Sequence, residues 1–199
     1  MNNQPASNYA PVTPAVLDAL TQILGAGNVL VDRERIESYS HDETSAEEYG
    51  HMPEVVVTPT TTEQVAAVVM LANRERIPVT PRGAGSGLSG GAIPIYGGIL
   101  LSVEKLNRVL EIDYDNMVVV AESGVVTNEI NALVAEKKLF YAGYPMSLET
   151  CFLGGNIAEG YADDFWKTAR SRSKPPAGAL PSPGARPSLS EGEMFRRCG

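Results

Sequence analysis

The segment Pro81-Arg82-Gly83-Ala84-Gly85-Ser86-Gly87-Leu88-Ser89-Gly90-Gly91 puts five glycines into the nine positions from 83 to 91. Glycine leaves no side chain in the path of an approaching group and accepts positive φ, so several amide N–H groups can converge on one anion. The chemistry this spacing offers is a phosphate cradle, with Arg82 as a supporting cation. Two familiar glycine patterns do not fit it. Gly85 to Gly90 satisfies G-x-G-x-x-G, but a dinucleotide fingerprint must open a helix, and Gly91-Ala92-Ile93-Pro94 follows instead. A P-loop needs Gly-Lys-Ser/Thr, and no lysine occurs between Met1 and Val103.

The other reactive residue types are sparse. His41 and His51 are the two histidines, both in the acid-rich stretch before the first strong strand, where surface or capping roles are expected rather than a general base. Asp113 and Asp115 flank a turn and read as turn chemistry. Cys151, in an apolar stretch, reads as a buried small thiol, and with Cys198 it makes neither a disulfide framework nor a metal cluster. None of these reads as a catalytic residue or a metal ligand.

The elements that must position the loop alternate between helix and strand. Thr13 caps a helix with Pro14 at its first position, and Gly25 stops it after the stripe Val16, Leu17, Leu20, Ile23 and Leu24. Asp32 opens a short helix to Tyr39. Glu54 to Pro59 reads as a buried strand, and Thr60 to Gln64 as a capping box ahead of the helical stripe Val65, Val68, Val69 and Ala72. Ile77 to Thr80 and Gly98 to Val103 are strands on either side of the glycine loop. Leu110–Asp113 and Met117–Glu122 form a hairpin, and Thr127 caps a last helix carrying Ile130, Leu133 and Val134. The fold class is mixed, α+β.

Composition bounds what such a fold can be. The chain has 199 residues, 43% of them hydrophobic, a net charge of −8 and a pI near 4.8. That balance argues against nucleic acid or an anionic lipid surface as partner. No segment reads as a bilayer span, and Met1 to Pro5 show no signal-peptide start, so a cytoplasmic location is expected. The charge is unevenly spread. Met1 to Phe165 holds 22 acidic and 9 basic residues, a net of −13, whereas Trp166 to Gly199 holds 2 and 7, a net of +5. Five prolines and no periodicity mark that last segment as a disordered tail.

The stretch Pro53 to Glu159, a little over half of the chain, resembles the first FAD-binding subdomain of PCMH-type flavoproteins, the vanillyl-alcohol oxidase fold. Within that family it is most similar to the glycolate oxidases and the D-lactate dehydrogenases. The matching residues are Val57-Thr58-Pro59-Thr60-Thr61-Thr62-Glu63-Gln64-Val65, the loop Pro81 to Gly91, Leu106-Asn107-Arg108 with Ile112-Asp113, Ala121 to Val125, and Cys151-Phe152-Leu153-Gly154-Gly155-Asn156-Ile157-Ala158-Glu159. The resemblance implies that the loop wraps the FAD pyrophosphate. It also implies that Gly154, Gly155, Asn156 and Ile157 run beside the ribityl chain and isoalloxazine ring, with Thr58 and Pro145 as further pocket residues. Ser86 stands where relatives with covalent flavin carry a histidine, so noncovalent FAD is expected.

Where relatives continue with Asn-Ala-Gly-Gly, Glu159 is followed by Gly160-Tyr161-Ala162-Asp163-Asp164, and the charge reverses soon after. The expected organisation is a helical lead-in over 1–52, an incomplete FAD-binding domain over 53–159, and a tail over 160–199 that is out of frame or otherwise foreign to the fold. Three functions follow as alternatives: the FAD-binding part of a dehydrogenase or oxidase acting on a small 2-hydroxy acid, a noncatalytic flavin or nucleotide-binding module, and a fragment that lacks the substrate domain and cannot hold cofactor.

Overall fold

The structure, a computed structural model, describes residues 8–141 and 147–158. The expected tail and Pro145 lie outside the described residues. The chain divides into two compact units at Asn107/Arg108.

In the first unit, helix α1 spans Pro14–Leu24, with Thr13 Oγ1 accepting from the Val16 amide and Gly25 (φ 81°) closing it through a bond from its amide to the Thr21 carbonyl, as the sequence predicts. Strand β1 (Val29–Leu30) and the one-turn helices α2 (Arg33–Ile36) and α3 (Ala46–Tyr49) precede β2 (Val55–Val57). The helix expected from Asp32 to Tyr39 is shorter: Asp32 caps α2, but the chain tightens to a 3₁₀ turn at Glu37–Tyr39, because a four-residue nucleus with one buried side chain has little to propagate it. Helix α4 (Thr62–Glu75) starts where Thr61 Oγ1 accepts from the Gln64 amide, and Gln64 Oε1 in turn accepts from the Thr60 amide. Strands β3 (Val79–Arg82) and β4 (Ile99–Ser102) complete the sheet. The strand expected at Ile77 begins two residues later, since the Ile77 amide still bonds the Ala72 carbonyl and its side chain fills the core beneath α4.

The sheet order is β1-β2-β4-β3, with β2, β4 and β3 parallel and β1 antiparallel at the edge. Strand side chains alternate between two faces. Val55, Val57, Ile99 and Leu101 pack under α1 and α4, whereas Val56 and Leu100 pack with Leu30 and Ile36 on the opposite side. Both faces are covered, which is why these strands are almost uninterrupted apolar runs. β3 and β4 are parallel neighbours joined by residues 83–98 without a helix, so the glycine loop emerges at the carboxyl edge of the sheet.

The second unit holds the hairpin β5 (Val109–Asp113) and β6 (Val118–Ala121), then α5 (Thr127–Ala135) and α6 (Leu153–Ala158). Val125, Ile130 and Leu153 form its core against Val109, Val119 and Ala121. Asp113 closes the hairpin turn by accepting from the amide and the side chain of Asn116, the turn role its spacing predicts. Two features depart from the sequence reading. Thr127 does not cap α5. Val126 takes that position without a side-chain bond, and Thr127 is the first helical residue, fully buried. α5 is also not the last helix, because α6 forms over Leu-Gly-Gly-Asn-Ile-Ala, a sequence of poor intrinsic helix propensity held by tertiary contacts.

Candidate functional site

The carboxyl edge of a parallel sheet is where an open α/β arrangement presents ligand-binding loops. Three candidate elements share that edge. Register pairs Val57 with Leu101 and Arg82 with Ser102, so Thr58, Arg82 and Ser102 stand at one level.

Between Gly83 and Gly91 the chain has no helix or strand. The Gly90 amide donates to Asp42 Oδ2 at 2.9 Å, and the Gly87 carbonyl accepts from the Glu43 amide at 3.0 Å. The amides from Ala84 to Ser89 and that of Gly91 meet no acceptor among the described residues. Ala84 to Gly87 are half-buried, while Leu88 at the tip is 76% exposed. Amides partly withdrawn from water with no protein acceptor are what an anion cradle requires. Gly85 is the pivot of the bend. Its φ is 76°, and a Cβ there would overlap the Arg82 guanidinium.

Arg82 is 9% exposed, and two of its donors are taken up by backbone carbonyls. Nη1 donates to the His41 carbonyl at 2.6 Å and Nη2 to the Ser38 carbonyl at 3.3 Å, with the guanidinium 5.6 Å from the centre of the Tyr39 ring. Arg82 thus acts as a strut between β3 and residues 38–41. Burial lowers its pKa, with Tyr39, Asp42 and Glu104 opposing, yet a guanidinium stays charged. Among the described residues no carboxylate forms an ion pair with it, although Asp42 and Glu104 act on its charge from nearby.

Tyr39 Oη donates to Glu104, which also accepts from Ser102 Oγ. Burial, reinforced by Glu104, pushes the Tyr39 phenol up to about 12. A phenol raised above its usual ~10 contributes stability that is complete below that value and is lost as pH rises through the folded pKa. Alkaline titration followed by tyrosinate absorbance should therefore show a late step near pH 12 that Tyr39→Phe deletes. Amplitude lost near the ordinary ~10, with the late step kept, would count against this environment.

Thr58 is buried and already partnered: its amide donates to the Asn28 carbonyl and its hydroxyl to Asn28 Oδ1, which also accepts from Lys105 Nζ. His41 Nδ1 lies 3.1 Å from Ser40 Oγ and His51 Nδ1 lies 2.8 Å from the Tyr49 carbonyl, so both are engaged locally. Among the described residues no group of three potential metal ligands occurs, and no helix is long and apolar enough to cross a membrane.

In the second unit, Gly154 donates its amide to the Ser123 carbonyl at 2.8 Å, and a Cβ on Gly154 would sit 2.7 Å from that of Ser123, so the glycine serves close helix packing. Gly155 faces open space. Asn156 is buried, and its Nδ2 donates to Thr127 Oγ1 at 2.7 Å. Cys151 lies beside it, with its thiol 3.3 Å from the same hydroxyl. Ile157 is 36% exposed. Sequence reasoning missed Asp42, Glu104 and Asn28. Only Asp42 carried a local signal, the Asp-x-Thr spacing of an Asx turn, seen here as Oδ1 accepting from the Thr44 amide and hydroxyl.

The family model described as FAD binding domain matches residues 53–165. The chain is 42% identical over 151 residues to a D-lactate dehydrogenase of Anaerostipes hadrus, covering 75% of this chain and 31% of that protein. It is 34% identical over 148 residues to glycolate oxidase subunit GlcD of Bacillus subtilis (strain 168), covering 74% and 31%. It therefore spans under a third of the length of these relatives. Among solved structures it resembles p-cresol methylhydroxylase with substrate bound, at TM-score 0.56 and 29% identity over 63% of this chain and 26% of that one. An alkyldihydroxyacetonephosphate synthase shares the fold at TM-score 0.67 and 20% identity, covering 76% and 30%.

Proposed function

Because the chain belongs to the family of FAD binding domains, we propose that it is the pyrophosphate-gripping part of a flavin-dependent dehydrogenase or oxidase acting on a small 2-hydroxy acid of the D-lactate or glycolate type. The supporting observation is the row of half-buried amides between Ala84 and Gly87, unsatisfied by the described residues, bent around Gly85. Two negative charges suit such a row, and an acidic chain needs amide dipoles rather than a basic surface to hold them. When bound, FAD supplies the two-electron acceptor for oxidation of the hydroxy acid.

The residues of this chain bind and orient. Ala84 to Ser89 would donate amide hydrogens to the phosphates, Arg82 would contribute charge from below the loop, and the loop carries no side chain able to bond covalently to the flavin ring as a histidine would, so the cofactor is proposed to be noncovalent. No residue is assigned to proton abstraction. A soluble cytoplasmic setting belongs to the same proposal, as do partner subunits, since the Bacillus subtilis relative is itself named as a subunit.

The test is a titration of the purified chain with FAD, followed by flavin fluorescence, and a dye-reduction assay with D-lactate and with glycolate. Weak, saturable FAD binding without turnover is expected of a chain spanning under a third of its relatives. The absence of any saturable binding would overturn the cofactor reading. Stoichiometric yellow protein that bleaches with D-lactate would overturn the assignment of the chain as the cofactor-binding part alone.

A further inference from the structure

The glycine loop has no secondary structure of its own, so something else must fix the direction of its amides. Residues 38–44 do so from three points. Arg82, at the root of the loop, is tied to the carbonyls of Ser38 and His41. The Glu43 amide holds the Gly87 carbonyl, and Asp42 Oδ2 holds the Gly90 amide. The last two contacts flank the exposed tip at Leu88 and Ser89.

Asp42 is suited to this by its two oxygens. Oδ1 is occupied by the Thr44 amide at 2.9 Å and the Thr44 hydroxyl at 2.6 Å, which orients the carboxylate and leaves Oδ2 for Gly90. The residue is 5% exposed, and a carboxylate is buried at such a place only when its charge is fully used by donors. A negative charge beside an anion cradle would otherwise repel the ligand. Here it is taken up by local N–H and O–H groups, and by engaging the Gly90 amide it confines the incoming phosphates to the amides nearer Gly85.

We propose that Asp42 is a positioning residue for the FAD cradle, clamping Gly90 so that the amides from Ala84 to Ser89 stay convergent before the cofactor arrives. The inference rests on the cofactor reading above. A carboxylate with two engaged oxygens cannot be replaced by an amide without turning a donor toward a donor, so Asp42→Asn should behave nearly as Asp42→Ala. Thr44→Val, which removes one of the orienting bonds and spares the clamp, should have an intermediate effect.

The experiment compares the wild-type chain with Asp42→Asn, Asp42→Ala and Thr44→Val in two measurements. The first is hydrogen exchange of the 83–91 segment without FAD, read at the Gly90 amide that Asp42 holds and referenced to β2 and β4. The second is the Kd for FAD. Faster exchange confined to 83–91, with FAD binding weakened about tenfold or more in the Asp42 variants, supports the proposal. Unchanged loop exchange overturns the clamp. Faster loop exchange with unchanged FAD affinity overturns the positioning role while leaving the cradle standing. A general rise in exchange across β2 and β4 also overturns it, because Asp42 would then be holding the fold as a whole. Wild-type protein that binds no FAD removes the cofactor reading, and the positioning role falls with it, whatever the loop exchange shows.

Discussion

Gly85→Val should abolish FAD binding, weakening it by at least about 100-fold, equivalent to about 2.7 kcal/mol. Two costs combine. Gly85 adopts φ 76°, where a β-branched residue is strongly disfavoured, by at least ~1–2 kcal/mol. The new Cβ would also overlap the Arg82 guanidinium. The end of an arginine ordinarily swings aside at little cost, but this one is nearly buried and held by the carbonyls of Ser38 and His41. The loop must give way instead, and its amides lose their convergence. Gly27→Ala, outside the loop, is the control, since nothing lies within 4 Å of a Cβ there, and it should leave affinity unchanged. Calorimetric titration with FAD, with circular dichroism to verify folding, checks both. Wild-type affinity in folded Gly85→Val protein would remove the loop from the site.

Arg82→Met should lower the stability of the first unit by about 3 kcal/mol and weaken FAD binding in the protein that remains folded. The methionine fills part of the volume but supplies no donors, so the carbonyls of Ser38 and His41 lose bonds to a charged group while still largely screened from water. The Tyr39 ring also loses its cation, although at 5.6 Å that contact is the smaller contribution. Arg82→Lys should recover only part of the loss, because one ammonium cannot reproduce the fork that spans two carbonyls. The measurement is urea unfolding followed by far-ultraviolet dichroism, with FAD titration in parallel. A midpoint within error of wild type would show that residues 38–41 hold their place without the strut.

These two substitutions show where sequence reading succeeds and where it stops. The glycine density from 83 to 91, the capped helices at Thr13 and Thr61, the apolar runs of β2 and β4 and the Asp113 turn were all legible, because each depends on neighbours a few residues apart. The likeness to FAD-binding proteins was legible too, since it rests on several short motifs in order along the chain. Thr127 marks the limit. A threonine ahead of an apolar helical stripe looks like a cap, yet its hydroxyl is turned to Cys151 and Asn156, more than twenty residues away, and burial decides between the two uses.

The sequence by itself determined that a glycine-rich bend lies between two strands. Only the tertiary structure decided what holds the bend in shape. Asp42 and Gly90 are 48 positions apart, and Arg82 and the His41 carbonyl are 41 apart. No periodicity links residues at such separations. They meet because β3 and β4 are parallel neighbours whose carboxyl edge lies against residues 38–44, and because buried charges at that edge must be satisfied by whichever donors and acceptors the packing brings within reach.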